Sequence, residues 1–174
     1  MRVFSAANRF GALALSLALL AGCASNDTTP EEEDEFAGVQ ERELYELART
    51  ALDSNRFPIA IERLEALDTR YPFGPHAEQA QLELIYAYYE NSNWEEARAA
   101  ASRFIRLHPD HPQVDYAYYL RGLSAWQAGR FSLERLRLID ISKRDLGASR
   151  DAYNDFRELI QRFPQSQYAP DAQQ

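Results

Sequence analysis

Apolar and small residues recur along this chain at fixed distances from three prolines. An alanine stands 12 residues before each of Pro72, Pro109 and Pro164. Apolar or small residues follow each alanine at the fourth and seventh positions: Ala60, Leu64 and Leu67; Ala97, Ala101 and Phe104; Ala152, Phe156 and Leu159. This spacing places them on one face of a helix, and a proline cannot continue that helix. Each segment therefore predicts an amphipathic helix that ends before its proline.

The three segments belong to a longer repeat of helix pairs. The groups Asn55-Arg56-Phe57, Ser92-Asn93-Trp94 and Gly129-Arg130-Phe131 recur at intervals of 37 residues and predict a turn inside each pair. The interval from Ala97 to Ala152 is longer than that from Ala60 to Ala97, so we expect an insertion near 131–148. The predicted helices are 42–54, 58–70, 76–91, 94–107, 113–128 and 149–162. One pair cannot bury its own apolar face, whereas stacked pairs can.

A further unit begins at the C-terminal end of the chain. The segment Tyr168-Ala169-Pro170-Asp171-Ala172 aligns with the start of another first helix. Because a solenoid normally ends in a polar capping element, we expect either a truncated product or a divergent terminus. The pattern predicts repeats over 42–174, with about three units and a partial fourth.

The N-terminal residues have the form of a secretion signal. Arg2 and Arg9 precede a 12-residue apolar run that is too short to span a bilayer but suits a signal peptide. The run ends at Leu20-Ala21-Gly22-Cys23, which resembles the bacterial lipobox. The resemblance implies a signal peptide over 1–22 and lipidation of Cys23, the only cysteine. With Ala24 in second place, it also implies sorting to the outer membrane. An ordinary signal peptide with a chance cysteine is the alternative.

An acidic segment follows the cysteine. Five consecutive acids, Glu31 to Glu35, and the lack of an apolar face predict an extended linker over 23–41. An acidic docking tail is the alternative. Cleavage removes Arg2 and Arg9, which takes the net charge from −8 to −10. Such a charge argues against a nucleic-acid partner, and the lipid must supply the attachment to the membrane.

The repeat resembles the tetratricopeptide-repeat family, whose usual period is about 34 residues. Gly122 takes the position of that family's first-helix glycine, while Ala48 and Ile85 replace it in the other units. The resemblance implies an all-α fold, a right-handed α-solenoid of tetratricopeptide-like helix pairs in which the first helices line the concave surface.

Two stretches are more specific than the repeat. Arg70-Tyr71-Pro72-Phe73-Gly74-Pro75, followed by Leu84-Ile85-Tyr86-Ala87-Tyr88-Tyr89, resembles the BamD (ComL-like) family of lipoproteins of the outer-membrane β-barrel assembly machinery over about 43–174. The resemblance implies a lipid-anchored protein on the periplasmic face of the outer membrane. Its implied partners are unfolded outer-membrane proteins, the central barrel subunit and other lipoproteins of the complex. Family members usually carry five repeats, and the C-terminal ones, absent here, carry much of the partner contact.

The candidate binding residues are aromatic. On a helix, residues i and i+3 share a face, so Tyr86 pairs with Tyr89 and Tyr116 pairs with Tyr119. Tyrosine combines a large apolar face with a hydroxyl, which suits a peptide groove. The family resemblance adds Tyr71 and Phe73 to this set, and it suggests a partner loop at Asp140, Lys143, Arg144 and Asp145. Core packing is the alternative for the tyrosines, and it is the expected role of Tyr88.

No pattern of catalytic or cofactor-binding residues is found. His108-Pro109-Asp110-His111 lacks a third metal ligand nearby in sequence and is interpreted as a proline turn. There is no phosphate-binding glycine loop and no serine nucleophile elbow. We therefore expect no enzyme, no metal and no cofactor. The alternative functions are a periplasmic scaffold that tethers peptidoglycan or cell-division proteins and, less favoured, a cell-wall enzyme with paired carboxylates.

Overall fold

The computed structural model describes residues 36–135 and 147–174, and side-chain surroundings except those of 131–135. Every regular element in this part of the chain is a helix, as the sequence predicts. The helices are α1 (Glu41–Asp53), α2 (Phe57–Arg70), α3 (Ala77–Glu90), α4 (Trp94–Leu107), α5 (Val114–Arg135), α6 (Gly147–Arg162) and α7 (Ala169–Ala172). None of the described helices is long and apolar enough to cross a membrane.

The helices form successive pairs whose cores are shared between neighbours. The alanines that open the repeat, Ala60, Ala97 and Ala152, are buried, as are Leu67, Phe104 and Leu159 seven positions later. Three clusters of buried side chains follow one another along the stack, and partly buried residues such as Tyr86 pack against two of them. The predicted apolar face of each second helix is therefore the face that packs into the stack.

The turns inside the first two pairs have the same backbone. Asn55 and Ser92 adopt positive φ angles of 54° and 63°. One residue later, the N–H of Arg56 donates to Ala51 O and that of Asn93 donates to Tyr88 O, each at 2.9 Å. This is a Schellman-type end, in which a left-handed residue stops the helix and lets its last carbonyls find donors. The first two predicted turns are thereby confirmed.

The third predicted turn is wrong. Residues 129–131 lie inside α5, which continues from the predicted end at 128 to Arg135. Gly129 is buried, and a Cβ at this position would stand 3.2 Å from Ala148 Cβ. A Cβ on Gly122 would stand 2.6 Å from the Phe156 ring. Both glycines let α5 approach α6 closely, so Gly129 reflects helix packing and not a turn. Within the predicted insertion, 131–135 are helical and 136–146 lie outside the described residues.

The loops between pairs repeat a second backbone pattern. After α2, α4 and α6, the N–H groups of Tyr71, His108 and Phe163 each donate to a carbonyl four residues back at 2.8 Å. Three residues later, the N–H groups of Gly74, His111 and Ser166 donate to the carbonyls of Tyr71, His108 and Phe163 at 3.0, 3.2 and 2.9 Å. The next helix starts three residues after each of these donors. We call these the three inter-pair loops, 71–76, 108–113 and 163–168.

A candidate peptide-binding site on the first helices

Five tyrosines on successive first helices define the candidate site, which we call the tyrosine row. It consists of Tyr86 and Tyr89 on α3, Tyr116 and Tyr119 on α5, and Tyr168 just before α7. The Tyr168 ring stacks on Tyr119, with centroids 4.8 Å apart and planes 16° apart, and contacts Tyr116 at 5.3 Å. The ring contacts therefore join the last two first helices of the stack.

The α3 end of the row is anchored by packing. Tyr86 makes an edge-to-face contact with Phe57 at 6.0 Å, a geometry that aromatic pairs favour. Tyr86, Tyr89 and Tyr116 all pack against the same cluster of buried residues from α3, α4 and α5. All five tyrosines of the row are half-buried. Each ring therefore has one side held by the core and retains some exposure to solvent.

Polar neighbours bind the hydroxyls of two tyrosines of the row. Tyr119 Oη donates to Asp171 Oδ2 at 2.5 Å, and Gln127 Nε2 donates to Tyr89 Oη at 3.4 Å. Burial raises the pKa of Tyr86, Tyr116, Tyr119 and Tyr168, and nearby carboxylates or tyrosines raise it further. These hydroxyls are protonated at neutral pH, and each can donate one hydrogen bond, which Tyr119 gives to Asp171. Tyr86 and Tyr116 can donate theirs to a bound chain.

Tyr71 and Phe73 are placed differently from the row. Tyr71 packs against the first core cluster, and its hydroxyl donates to Val39 O at 2.7 Å. Phe73, two residues later in the first inter-pair loop, is 98% exposed. No described ring or hydrogen bond links either residue to the row. The six aromatic residues predicted as one peptide-binding set thus divide into four members of the row, one packed tyrosine and one protruding phenylalanine.

The two histidines of the second inter-pair loop meet one carboxylate. His108 Nδ1 lies 3.3 Å from Glu78 Oε1, and His111 Nε2 lies 3.7 Å from Glu78 Oε2. His108 Nε2 also lies 3.1 Å from Gln81 Oε1. These contacts tie the loop to α3. Over the ranges 36–135 and 147–174 no group of three metal-ligating side chains is arranged to hold an ion.

The buried carboxylates lie in contacts between helices. Glu83 of α3 accepts hydrogen bonds from Arg49, at 2.7 Å, and Tyr45 of α1, at 3.1 Å. Asp155 of α6 lies 3.0 Å from Arg121 of α5. Burial raises the pKa of Asp155, and the positive charge of Arg121 partly offsets this rise. The Glu83 contacts therefore join two neighbouring pairs, whereas the contact between Asp155 and Arg121 joins the two helices of one pair.

Comparison with known proteins identifies the repeat. A family model described as a tetratricopeptide repeat matches residues 32–174. The chain belongs to the tetratricopeptide-repeat family. This membership confirms the fold class predicted from the repeat pattern, and it agrees with the stacked helix pairs of the structure.

Three relatives share one name, outer membrane protein assembly factor BamD. The protein of Vibrio cholerae serotype O1 is 45% identical over 160 residues, which cover 91% of this chain and 64% of the relative. Those of Neisseria meningitidis serogroup B and Xylella fastidiosa strain Temecula1 are 42% and 36% identical and cover 92% and 97% of this chain. The chain spans 60% and 56% of these two relatives' lengths. The resemblance to the BamD family predicted from the sequence is thereby confirmed.

Three site residues of this tetratricopeptide-repeat chain were not predicted from the sequence: Tyr168, Gln127 and Asp171. A signal for Tyr168 and Asp171 was present, since their segment aligns with the start of a further first helix. Gln127 lies within the predicted helix 113–128, but its partner Tyr89 is 38 residues away in the chain, so no local pattern pairs the two. Cys23 and the predicted partner loop (Asp140, Lys143, Arg144 and Asp145) lie outside the described residues and stay predictions.

Proposed function

We propose that this protein is an outer-membrane protein assembly factor whose tyrosine row binds unfolded segments of outer-membrane proteins. In this proposal, lipidated Cys23 anchors it to the periplasmic face of the outer membrane. It acts by binding and not by catalysis, together with a central barrel subunit and other lipoproteins of the assembly complex. The name that the relatives share supports the assembly role, and the chemistry of the row supports the binding of a chain.

The observation that carries the client-binding proposal is the composition of the row. Segments of outer-membrane β-barrels alternate apolar and polar residues. Half-buried tyrosine rings offer apolar faces to such a segment, and the hydroxyls of Tyr86 and Tyr116 offer hydrogen-bond donors to its backbone carbonyls. Because the rings lie on first helices of consecutive pairs, one extended segment can contact several of them. The row therefore fits an extended aromatic-rich peptide better than a compact ligand.

The test is direct binding of a client peptide. A fluorescent peptide from the C-terminal strand of an outer-membrane barrel is titrated with the chain from Ala24 onward, and anisotropy is recorded. We expect saturable binding that Tyr119→Ala weakens about tenfold, which corresponds to about 1.4 kcal/mol. Tyr153→Ala is the matched control, because Tyr153 is an exposed tyrosine of α6 outside the row. It should leave binding unchanged.

Two outcomes would count against client binding at the row. Equal weakening by Tyr119→Ala and Tyr153→Ala would show that the peptide binds elsewhere. No binding by a well-folded helical protein would raise the alternative of a periplasmic scaffold for peptidoglycan or cell-division proteins. Circular dichroism of each variant separates loss of binding from loss of fold.

The lipid anchor has a separate test. Several acyl chains hold a protein on a bilayer far longer than one, so Cys23→Ser should move the protein from the membrane fraction to the soluble periplasmic fraction. Metabolic labelling with palmitate should mark the unchanged protein and not the variant. Membrane retention of the unlabelled variant would contradict the anchor and leave the row unaffected.

A further inference from the structure

Phe73 occupies a position that the fold itself fills with polar residues elsewhere. The three inter-pair loops align residue by residue, and the position after the proline is Phe73, Asp110 and Gln165 in turn. All three are exposed. The backbone hydrogen bonds on both sides of this position join the same relative positions in the three loops. The loop thus forms equally well with an aspartate or a glutamine, and nothing in its backbone requires a phenyl ring.

The Phe73 side chain contributes nothing to the described core. It is 98% exposed, whereas the other large apolar side chains exposed on the described surface keep at least a third of their area covered. Prolines stand on both sides of the Phe73-Gly74 pair and restrict its backbone. Single exposed apolar residues are common on proteins. The polar residues in the two sister loops are what set this one apart.

The loop that carries Phe73 is fixed from three sides. Glu41 Oε1 accepts the His76 backbone N–H at 2.9 Å, and the His76 ring stacks on Tyr45 at 4.6 Å. The Glu41 carboxylate fills the space beside Gly74, so that a Cβ there would overlap it. Tyr71 Oη closes the loop onto Val39 O. A preorganised loop loses little conformational entropy on binding, so a partner can bind the Phe73 ring at a low entropic cost.

We propose that Phe73 is an anchor residue for a folded protein partner that carries an apolar pocket. Because the ring has almost no neighbours of its own, the partner must supply the whole pocket, and an extended peptide cannot enclose a ring on all sides. Aromatic anchors buried in a partner's pocket are typical interface hot spots. A bilayer is a poorer occupant, since one ring adds little membrane affinity and the chain carries a net charge of −8.

The first experiment places a photoreactive phenylalanine, p-benzoylphenylalanine, at position 73 of the full chain in cells that make the protein. Asp110 and Gln165 receive the same substitution as matched controls from the sister loops. We expect one discrete protein adduct at position 73 and none at the other two, and it should persist after protein synthesis is stopped. A series of adducts of different masses that disappears when protein synthesis is stopped would assign Phe73 to the client site and overturn the proposal. Lipid adducts alone, or equal adducts at all three positions, would also overturn the proposal.

The second experiment measures the affinity for the protein identified in that adduct. Phe73→Gln gives the loop the residue of its third sister, so the melting temperature and helicity should stay unchanged. Its affinity for the purified partner should fall at least tenfold, as for a hot-spot residue. A fall of less than twofold would overturn the anchor role. Tyr119→Ala should leave this affinity unchanged, so the anchor and the proposed client site succeed or fail separately.

Discussion

The tyrosine row and the first inter-pair loop place aromatic side chains in opposite surroundings. In the row, the rings are half-buried and contact other residues of the stack, and the hydroxyls of Tyr89 and Tyr119 have polar partners. In the loop, Phe73 has a rigid backbone and almost no side-chain contact. The comparison separates two kinds of surface: a row made jointly by several repeats, and a single side chain presented by one loop. We expect substitutions in the row to lower the stability of the fold and substitution of Phe73 to leave it nearly unchanged, whatever their effects on binding.

Alkaline pH should have the largest effect, because it acts on many tyrosines at once. Burial raises the pKa of Tyr45 to about 12, from 10.0 in the unfolded chain, and raises those of Tyr86, Tyr116 and Tyr119 as well. A folded pKa above the unfolded one contributes stability that is complete below pH 10 and is lost as the pH rises above it. Melts by circular dichroism from pH 8 to 12, with tyrosinate absorbance, test this. Full tyrosinate signal at pH 10 with helices intact would contradict it.

Truncation of one row residue should come next. Tyr116→Ala removes a ring that packs on Tyr168 and on the second core cluster. We expect the free energy of unfolding to fall by about 2–4 kcal/mol, since truncating the packed part of this half-buried ring to alanine leaves a cavity. Urea titration measures the change. A loss below about 0.5 kcal/mol is in the range of ordinary surface substitutions. It would mean that Tyr116 packs against the core no more than Phe73 does.

Replacement of Gly74 should destabilise the first inter-pair loop. Gly74→Ala pushes a methyl group into the Glu41 carboxylate, which then leaves the His76 N–H. Loss of that charged hydrogen bond should cost about 1–2 kcal/mol. The variant Glu41→Ala makes room for the methyl group, so the double variant should lose less than the sum of the two single losses. Strict additivity would show that Glu41 and Gly74 do not act together.

The hydroxyl of one row residue should have a smaller effect. Tyr119→Phe keeps the stack on Tyr168 and removes only the hydrogen bond to Asp171. Because Asp171 is exposed and water can replace the donor, we expect about 0.5–1 kcal/mol of lost stability. Thermal melts of Tyr119→Phe beside Asp171→Asn test it. A loss as large as that of Tyr116→Ala would place the hydroxyl in the core of the fold.

Substitution of Phe73 should have the smallest effect on stability. Phe73→Gln should change the free energy of unfolding by less than about 0.5 kcal/mol, since surface substitutions away from special features stay in that range. Urea titration beside Tyr116→Ala sharpens the contrast between loop and row. A loss as large as that of Tyr116→Ala would mean that Phe73 packs against the fold after all.

The sequence predicts the helices well because a single periodicity governs them. The α4 bounds are predicted to the residue, and α2 and α3 differ from their predicted bounds by no more than one residue at either end. The prediction fails at α5, because the Gly129-Arg130-Phe131 group aligns in spacing with true turns but not in conformation. Asn55 and Ser92 adopt left-handed backbones, whereas Gly129 serves a helix contact. A glycine in either role looks the same in one sequence.

The candidate site is harder to predict from sequence than the fold. Helical spacing correctly pairs Tyr116 with Tyr119, because both contact Tyr168. It cannot tell that Tyr71 packs inward while Phe73 protrudes. Both stand in one short loop, and the path of that loop depends on Glu41 and Val39, which lie far earlier in the chain. Long-range contacts of this kind leave no local pattern.

The stacking of pairs has a consequence for how the molecule opens. The described helices touch chiefly the next helix in the chain, together with a contact between α3 and α5. Folding of such a stack relies on short-range contacts, so it should be fast, and its opening should spread from one end. Hydrogen exchange should therefore be slowest at the amides around Ile85 and Phe104, which lie in a core cluster, and faster in α7, which has only four residues. The α7 end of the row, where Tyr168 and Asp171 lie, should then exchange faster, while Tyr86 and Tyr89 stay protected.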